Sequence, residues 1–128
     1  MRLRTLAPAL LLLAGLQLPS TAVAAEYVEL TPSFVGTIGP GPRIQYLRVD
    51  VALRANSEEA VSRIEHHDPL IRNTLVSLFA RQTADDLASM QGKEELRSEA
   101  LAEVQAVLEA EEGQPLISDL LFTNLLTQ

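Results

Sequence analysis

The sequence has no cysteine and no tryptophan, and these absences exclude several classes of protein. Without a thiol, the chain cannot be a lipoprotein, a thiol enzyme or a protein with cysteine-bound zinc, yet it can fold in an oxidising compartment without disulfides. Aromatic residues make up only 4% of the chain, so stacked aromatic platforms for bases or sugars are not expected.

Basic residues are scarce as well. The 128 residues include 10 Lys and Arg against 17 Asp and Glu, which gives a formal charge of −7 at pH 7. This balance predicts no nucleic-acid partner, because binding a phosphate backbone requires a basic face. It also argues against docking on anionic lipid headgroups. The length suits a single domain with one modest core.

Residues 1–24 have the composition of a secretion signal. Arg2 and Arg4 precede a mostly apolar stretch, Leu6–Leu18, and Ala22-Val23-Ala24 offers the small residues that signal peptidase accepts. The predicted cleavage lies before Ala25, and the mature domain would then carry eight basic and 17 acidic residues, a net −9.

The alternative for the same segment is an uncleaved membrane anchor through residues 5–25. This stretch carries no charged residue, and about 20 apolar residues span a bilayer. Polar and proline residues dilute it, which favours cleavage. Both alternatives place residues 25–128 outside the cytoplasm, because the basic start stays on the inner side.

Two strands are predicted after the leader. Tyr27–Ile38 is one, and its interruption at Pro32 indicates an edge position or a bulge. Gly39-Pro40-Gly41-Pro42 predicts a turn. The second strand alternates, which predicts one buried and one polar face and an antiparallel hairpin. Its buried side is Leu47, Val49, Val51 and Leu53, and its other side is Tyr46, Arg48, Asp50, Ala52 and Arg54.

Three helix starts are visible in the next segment. Asn56 with Glu59 and Thr83 with Asp86 have the capping-box spacing, and Asp68-Pro69 resembles an N-cap followed by proline at the first helical position. Gly92 is expected to break or loosen the last helix. The apolar residues at helical spacing are Ala60, Val61, Ile64, Ile71, Leu75, Leu78, Phe79, Leu87, Met90, Leu96, Ala100, Val104, Val107 and Leu108.

The end of the chain completes the fold prediction. The helical pattern stops at Gly113, Pro115 prevents its resumption, and the short apolar segment Ile117–Leu126 is predicted as a buried strand, with a helix as the alternative. A strand that returns after helices usually rejoins the sheet. The expected class is α+β, a small antiparallel or mixed sheet in the order β-β-α-α-α-β, with three or four helices packed on one face.

No residue set suits catalysis. His66-His67-Asp68 is the only cluster of ligand-capable groups, but neighbouring histidines cannot both face one metal from a helix, and Asp68 is expected to cap. The pairs Asp85-Asp86 and Glu94-Glu95 are sequence neighbours, whereas glycosidases need carboxyls across a cleft. We therefore predict no catalytic, cofactor-binding or metal-binding residues and no cofactor.

Acidic residues dominate Thr83–Glu112. Such a stretch is usually a solvated helix face, and it is also suited to a basic partner. The nine acids, against Lys93 and Arg97, are Asp85, Asp86, Glu94, Glu95, Glu99, Glu103, Glu109, Glu111 and Glu112.

Five segments, taken in order, resemble the periplasmic domain of the FliL family of flagellar basal-body proteins. The resemblance spans nearly all of Tyr27–Gln128, and no single segment is diagnostic by itself. The segments are Tyr46–Leu53, His67–Asn73, Gln82–Leu87, Gly92–Arg97 and Leu121–Gln128.

The resemblance implies a bacterial protein beside the flagellar motor, at the inner membrane, that supports the torque-generating stator units. It also implies a stomatin-like fold that tends to form rings, and no catalytic motif. The family has a cytoplasmic tail, a transmembrane helix and a linker before the domain, whereas Tyr27 follows the leader almost directly. A shortened periplasmic relative is therefore an alternative to the full-length protein. A periplasmic binding or chaperone-like domain unrelated to motility is the competing function, and a small secreted hydrolase is a third.

Overall fold

In the part of the chain that the structure describes, three helices cover a three-stranded sheet. The computed structural model describes residues 14–17, 26–39 and 44–128. Within them, the element order β-β-α-α-α-β agrees with the predicted α+β class. The elements are β1 (Glu26–Ile38), β2 (Gln45–Ala55), α1 (Glu58–His66), α2 (Asp68–Ala80), α3 (Met90–Glu112) and β3 (Ile117–Thr127).

The predicted hairpin is confirmed, since β1 pairs with β2 in antiparallel register from Glu26 opposite Ala55 to Ile38 opposite Gln45. Of the predicted turn, only Gly39 lies within the described residues, and its φ of 99° is a conformation that suits glycine. The rest of the turn, Pro40-Gly41-Pro42, lies outside them.

The alternation of β2 is confirmed on its buried side, where all four predicted residues lie in the core. The other side differs at Ala52, which is buried although its neighbours Arg48 and Arg54 are exposed. Ala52 lies opposite Glu29 on β1 and Leu121 on β3. Its methyl group is short, so the longer side chains on either side shield it from solvent.

The interruption predicted at Pro32 is a bulge on an edge strand. Regular pairing of β1 with β2 stops after Leu30 and resumes at Phe34, so that three residues lie opposite Asp50 alone. The Ser33 hydroxyl donates a hydrogen bond to the Asp50 carboxylate across this bulge. The bulge therefore divides the free edge of β1 into two short halves.

The final segment is a strand, as predicted, and the helical alternative is wrong. β3 lies antiparallel beside β2, which gives the sheet order β1-β2-β3 with β2 in the centre. Its pairing shifts at Thr123, close to the Asp50 position at which β1 is also irregular. Backbone pairing along β2 stabilises the extended form of a segment whose apolar pattern fits either structure.

Two of the predicted helix caps are displaced by one residue. Ser57, not Asn56, caps α1, because its Oγ accepts the Ala60 amide at 3.1 Å. His67, not Asp68, is the N-cap of α2. His67 ends α1 and begins α2, since its amide donates to the Ile64 carbonyl and its carbonyl accepts the Ile71 amide. Asp68 is thus already helical, where its charge favours the positive end of the helix dipole.

The capping box predicted at Thr83 is formed, but it stabilises a turn and does not begin a helix. The Thr83 amide donates to the Asp86 carboxylate at 2.9 Å, and the Asp86 amide donates to the Thr83 hydroxyl at 3.2 Å. The helix begins only at Met90, capped by Ser89, and runs unbroken past Gly92. Gly92 therefore does not break the helix, because it lies in the first turn.

The core lies between the sheet and the helices. The predicted apolar positions of all three helices are buried, except Val61 and Val107, which are half-buried, and Met90, which is exposed. Phe79 joins the layers, with its ring edge-on to Phe34 of β1 and to Phe122 of β3. Gly113 ends α3 in the left-handed conformation, φ 78°, as expected of a glycine C-cap.

Candidate interaction surfaces

The face of the sheet that points away from the helices, here called the outer face, carries exposed apolar side chains near the hairpin end. Val35, Tyr46 and Leu126 come from three neighbouring strands and are 73%, 62% and 47% exposed. They line a shallow groove of about 370 Å³ together with Arg48. Clustered apolar side chains on a water-facing sheet are typical of a binding surface.

The outer face also carries two arginines from β2. Arg48 and Arg54 are exposed, and within the described part of the chain neither forms an ion pair. Asp119 lies opposite Arg54 across the strands, but its carboxylate is engaged by Arg97 at 2.7 Å. Arg43, the third arginine of this region, lies outside the described residues.

The acidic stretch divides into two groups in the fold. Asp85, Asp86, Glu95 and Glu99 line a polar groove of about 550 Å³ between the α2–α3 loop and α3. The amide and then the hydroxyl of Thr83 lower the pKa of Asp86, so this groove carries negative charge at neutral pH. It is the part of the acidic stretch that remains suited to a basic partner.

Other acids of the same stretch form ion pairs with arginines, one of them distant along the chain. Arg81 reaches Glu103 at 2.9 Å from the end of α2. Arg97 binds Glu94 within α3, which lowers the pKa of Glu94. The signal for the first contact is absent from the sequence, because its partners are far apart along the chain.

In the structure, one residue of the His66-His67-Asp68 cluster, His67, links two parts of the fold. The Nε2 of His67 lies 2.8 Å from the Oε1 of Glu112, and both side chains are largely buried. His66 is exposed beside it. Across residues 14–17, 26–39 and 44–128, no three ligand-type side chains are grouped so that they could hold a metal ion. Through its contact with Glu112, His67 joins the α1–α2 junction to the end of α3.

Arg97, through a second kind of contact, and Arg72 attach helices to the edges of the sheet. Arg97 of α3 donates to the Leu120 carbonyl of β3 at 3.2 Å, and Arg72 of α2 donates to the Pro32 carbonyl at 2.8 Å while lying 4.4 Å from the centre of the Phe34 ring. The pKa of Arg97 is raised, chiefly by Glu94, so its charge persists. These contacts depend on tertiary packing and had no signal in the sequence.

Hydropathy does not single out any of the described helices as a membrane span. Taken together, the fold defines a one-sheet α+β domain whose exposed apolar face and separated charged regions are those of an interaction module. Residues 27–128 match the family model described as "Flagellar basal body-associated protein FliL". The chain belongs to the FliL family of flagellar basal body-associated proteins.

Two relatives illustrate the similarity. The flagellar protein FliL of Escherichia coli strain K12 is 31% identical over 91 residues, which cover 71% of this chain and 58% of the relative. That of Aquifex aeolicus is 21% identical over 80 residues, which cover 62% of this chain and 50% of the relative. The matched part of this chain thus spans only 50–58% of the length of these curated relatives.

Proposed function

We propose that the protein is a non-enzymatic component of the flagellar basal body that supports the motor stator from the periplasmic side of the inner membrane. The observation that carries this proposal is the family match over residues 27–128, which covers all the described strands and helices apart from Glu26, the first residue of β1. The outer face and the acidic groove supply the exposed apolar and charged surfaces that binding to stator and basal-body proteins would use.

We further propose that the domain has the stomatin-like architecture implied by the family resemblance and that copies associate into a ring. A ring requires a heterologous surface that repeats around an axis. The acidic groove is too strongly like-charged to meet itself, whereas the arginines of the outer face could meet acidic residues of a neighbour.

The leader carries its own prediction. We expect the mature protein to begin at Ala25, because small residues precede this position and the apolar stretch has the length of a signal sequence. Intact mass spectrometry of the protein purified from its native host measures the outcome. A mass that includes residues 1–24 would show a retained anchor instead.

Deletion of the gene tests the motor assignment. We expect filaments to remain while swimming and swarming fall, most strongly under high load, because a protein that supports stators affects torque rather than filament assembly. The measurement is motility across media of increasing viscosity, in a host with no second copy of the gene. The intact gene, returned to the deletion strain, should restore motility.

A charge-reversal variant tests the arginines of the outer face separately from the motor assignment. Arg48→Glu combined with Arg54→Glu reverses the charge of the outer face at exposed positions. Full rescue of the deletion by this variant would remove the arginine contact but leave the motor assignment intact. Normal motility of the deletion strain at every load would overturn the assignment itself.

A further inference from the structure

Each of the two edges of the sheet is only partly protected against pairing with a strand of another copy. β1 and β3 are the outer strands of the sheet in the described part of the chain, so each has one edge with no strand beside it. Open edges readily pair with other strands unless charge, proline or covering elements prevent it. Each edge is protected along one half and open along the other.

The protected half of β3 is covered by α3. Arg97 donates to the Leu120 carbonyl at 3.2 Å, and Gln105 donates to the Ile117 carbonyl at 2.9 Å. The carbonyl groups of Leu120 and Ile117 are thus hydrogen-bonded to helix side chains and are not free to pair with another strand. The rest of the strand, Leu121–Thr127, has no charged residue and no proline.

The protected half of β1 precedes Ser33. It carries Glu26 and Glu29, and the bulge at Pro32 interrupts its regular pairing. The remaining half, Ser33–Ile38, has no charged residue and no proline. In a chain with a net charge of −7, two uncharged strand edges are places at which two copies can approach without like-charge repulsion.

Both open halves lie at the same end of the sheet. Gly36 of β1 and Thr127 of β3 both pair with Leu47 of β2, from its two sides. β1 and β3 run in the same direction, since each is antiparallel to β2. Copies placed side by side therefore align β3 of one with β1 of the next at the same height, in parallel pairing.

Each open half also has an apolar depression beside it. Next to β3, a mainly apolar groove of about 580 Å³ is lined by Met90, Phe122 and Leu125, and Met90 is 81% exposed. Lys93, Glu94 and Arg97 of α3 also line this groove, and Arg97 forms an ion pair with Glu94. Next to β1, a cleft of about 220 Å³ is lined by Phe79 and Val76, the latter 51% exposed. Gly36 leaves this cleft open, since a Cβ there would contact nothing within 4 Å.

We infer that a second copy of this chain docks edge to edge, with Asn124–Thr127 of one copy pairing with Ser33–Gly36 of the next, which lie at the same height, and Met90 entering the cleft beside Gly36. The contact is heterologous, so it repeats and closes into a ring when the rotation permits. This inference rests on the proposed ring and names its contact surfaces. The protruding methionine and the open cleft lie on opposite edges, as such repetition requires.

The test uses one variant on each surface. Met90→Glu places a charge on the β3 side, and Val76→Glu places one on the β1 side. Met90 is largely exposed and Val76 is half exposed, so the fold should persist in both variants. Ser98→Glu on α3 and Ser77→Glu on α2 are matched controls, since both serines are exposed and line neither depression. Melting curves verify that all four variants fold, and Val35→Glu replaces Val76→Glu if that variant does not.

Sedimentation velocity of the full chain over a range of concentrations reads out association. We expect the wild type and both controls to self-associate, and each interface variant to do so at least about tenfold more weakly, because its charge would be buried on docking. A mixture of Met90→Glu with Val76→Glu should form heterodimers and nothing larger, because one intact surface remains on each partner. A self-complementary contact would give no such rescue.

Three outcomes would overturn the inference: a wild type that is monomeric throughout, variants that associate like the wild type, or a mixture that stays monomeric. These outcomes are independent of the motility test. Association through another surface would remove this contact and leave the motor assignment standing. Normal motility of the deletion strain would remove the motor assignment while leaving the association of the purified chain unchanged.

Discussion

Val49→Asp is expected to unfold the domain. Val49 is completely buried at the centre of β2, between Phe34 of β1 and Leu125 of β3. A carboxylate there has no cationic partner, and burying it costs several kcal/mol, on the order of the 5–15 kcal/mol that stabilises a typical domain. Thermal unfolding followed by circular dichroism should show no cooperative transition, or one at a greatly reduced temperature.

The neighbouring residue supplies the control. Arg48 lies on the outer face, is exposed and forms no ion pair within the described residues. Arg48→Ala should therefore change the free energy of unfolding by about 0.5 kcal/mol or less. Equal losses of melting temperature for the two variants would show that the assignment of the two faces is wrong.

Gly92→Ala is expected to destabilise the protein, although alanine is the better helix former. In an exposed helix interior this substitution stabilises by about 1 kcal/mol. Here a Cβ at position 92 would lie 1.8 Å from the Asp86 carbonyl oxygen and 2.9 Å from its carbon, and both atoms belong to the backbone. The turn at Thr83–Asp86 must move, so we expect a loss of about 2–3 kcal/mol.

The matched substitution is Gly36→Ala, where a Cβ contacts nothing within 4 Å. It should be neutral or slightly stabilising, by up to about 1 kcal/mol, because a strand glycine loses more chain entropy on folding than alanine does. Denaturant unfolding of both variants gives the comparison. A gain in stability for Gly92→Ala would contradict the close approach of α3 to the preceding turn.

Periodicity accounts for most of what was predictable. The alternation on β2 and the helical repeat from Leu96 to Leu108 are local patterns, and burial of one face follows from them directly. The caps were less predictable, because Ser57 and Asn56 are both good N-cap residues and differ by one position. Which of them caps α1 depends on where β2 stops pairing, at Ala55.

The interaction surfaces were predictable only in part. The acidic character of Thr83–Glu112 was visible in the sequence, but its division into a free groove and ion-paired acids was not, since Arg81 and His67 approach from other helices. The apolar part of the outer face could not be predicted from the sequence for a similar reason. Val35, Tyr46 and Leu126 come from three separate strands, and each is unremarkable alone.

The sequence by itself determined most of the elements, their order and the family, because periodicity, turn residues and the ordered segments are properties of neighbouring positions along the chain. The last segment is the exception, since its apolar pattern fits a strand or a helix and pairing with β2 makes it a strand. Only the tertiary structure decided which strand edges stay open and which acids stay unpaired. Those properties depend on contacts between residues distant in sequence, such as Arg97 with Leu120 and His67 with Glu112. Their geometry arises when the helices pack on the sheet, and no local pattern encodes it.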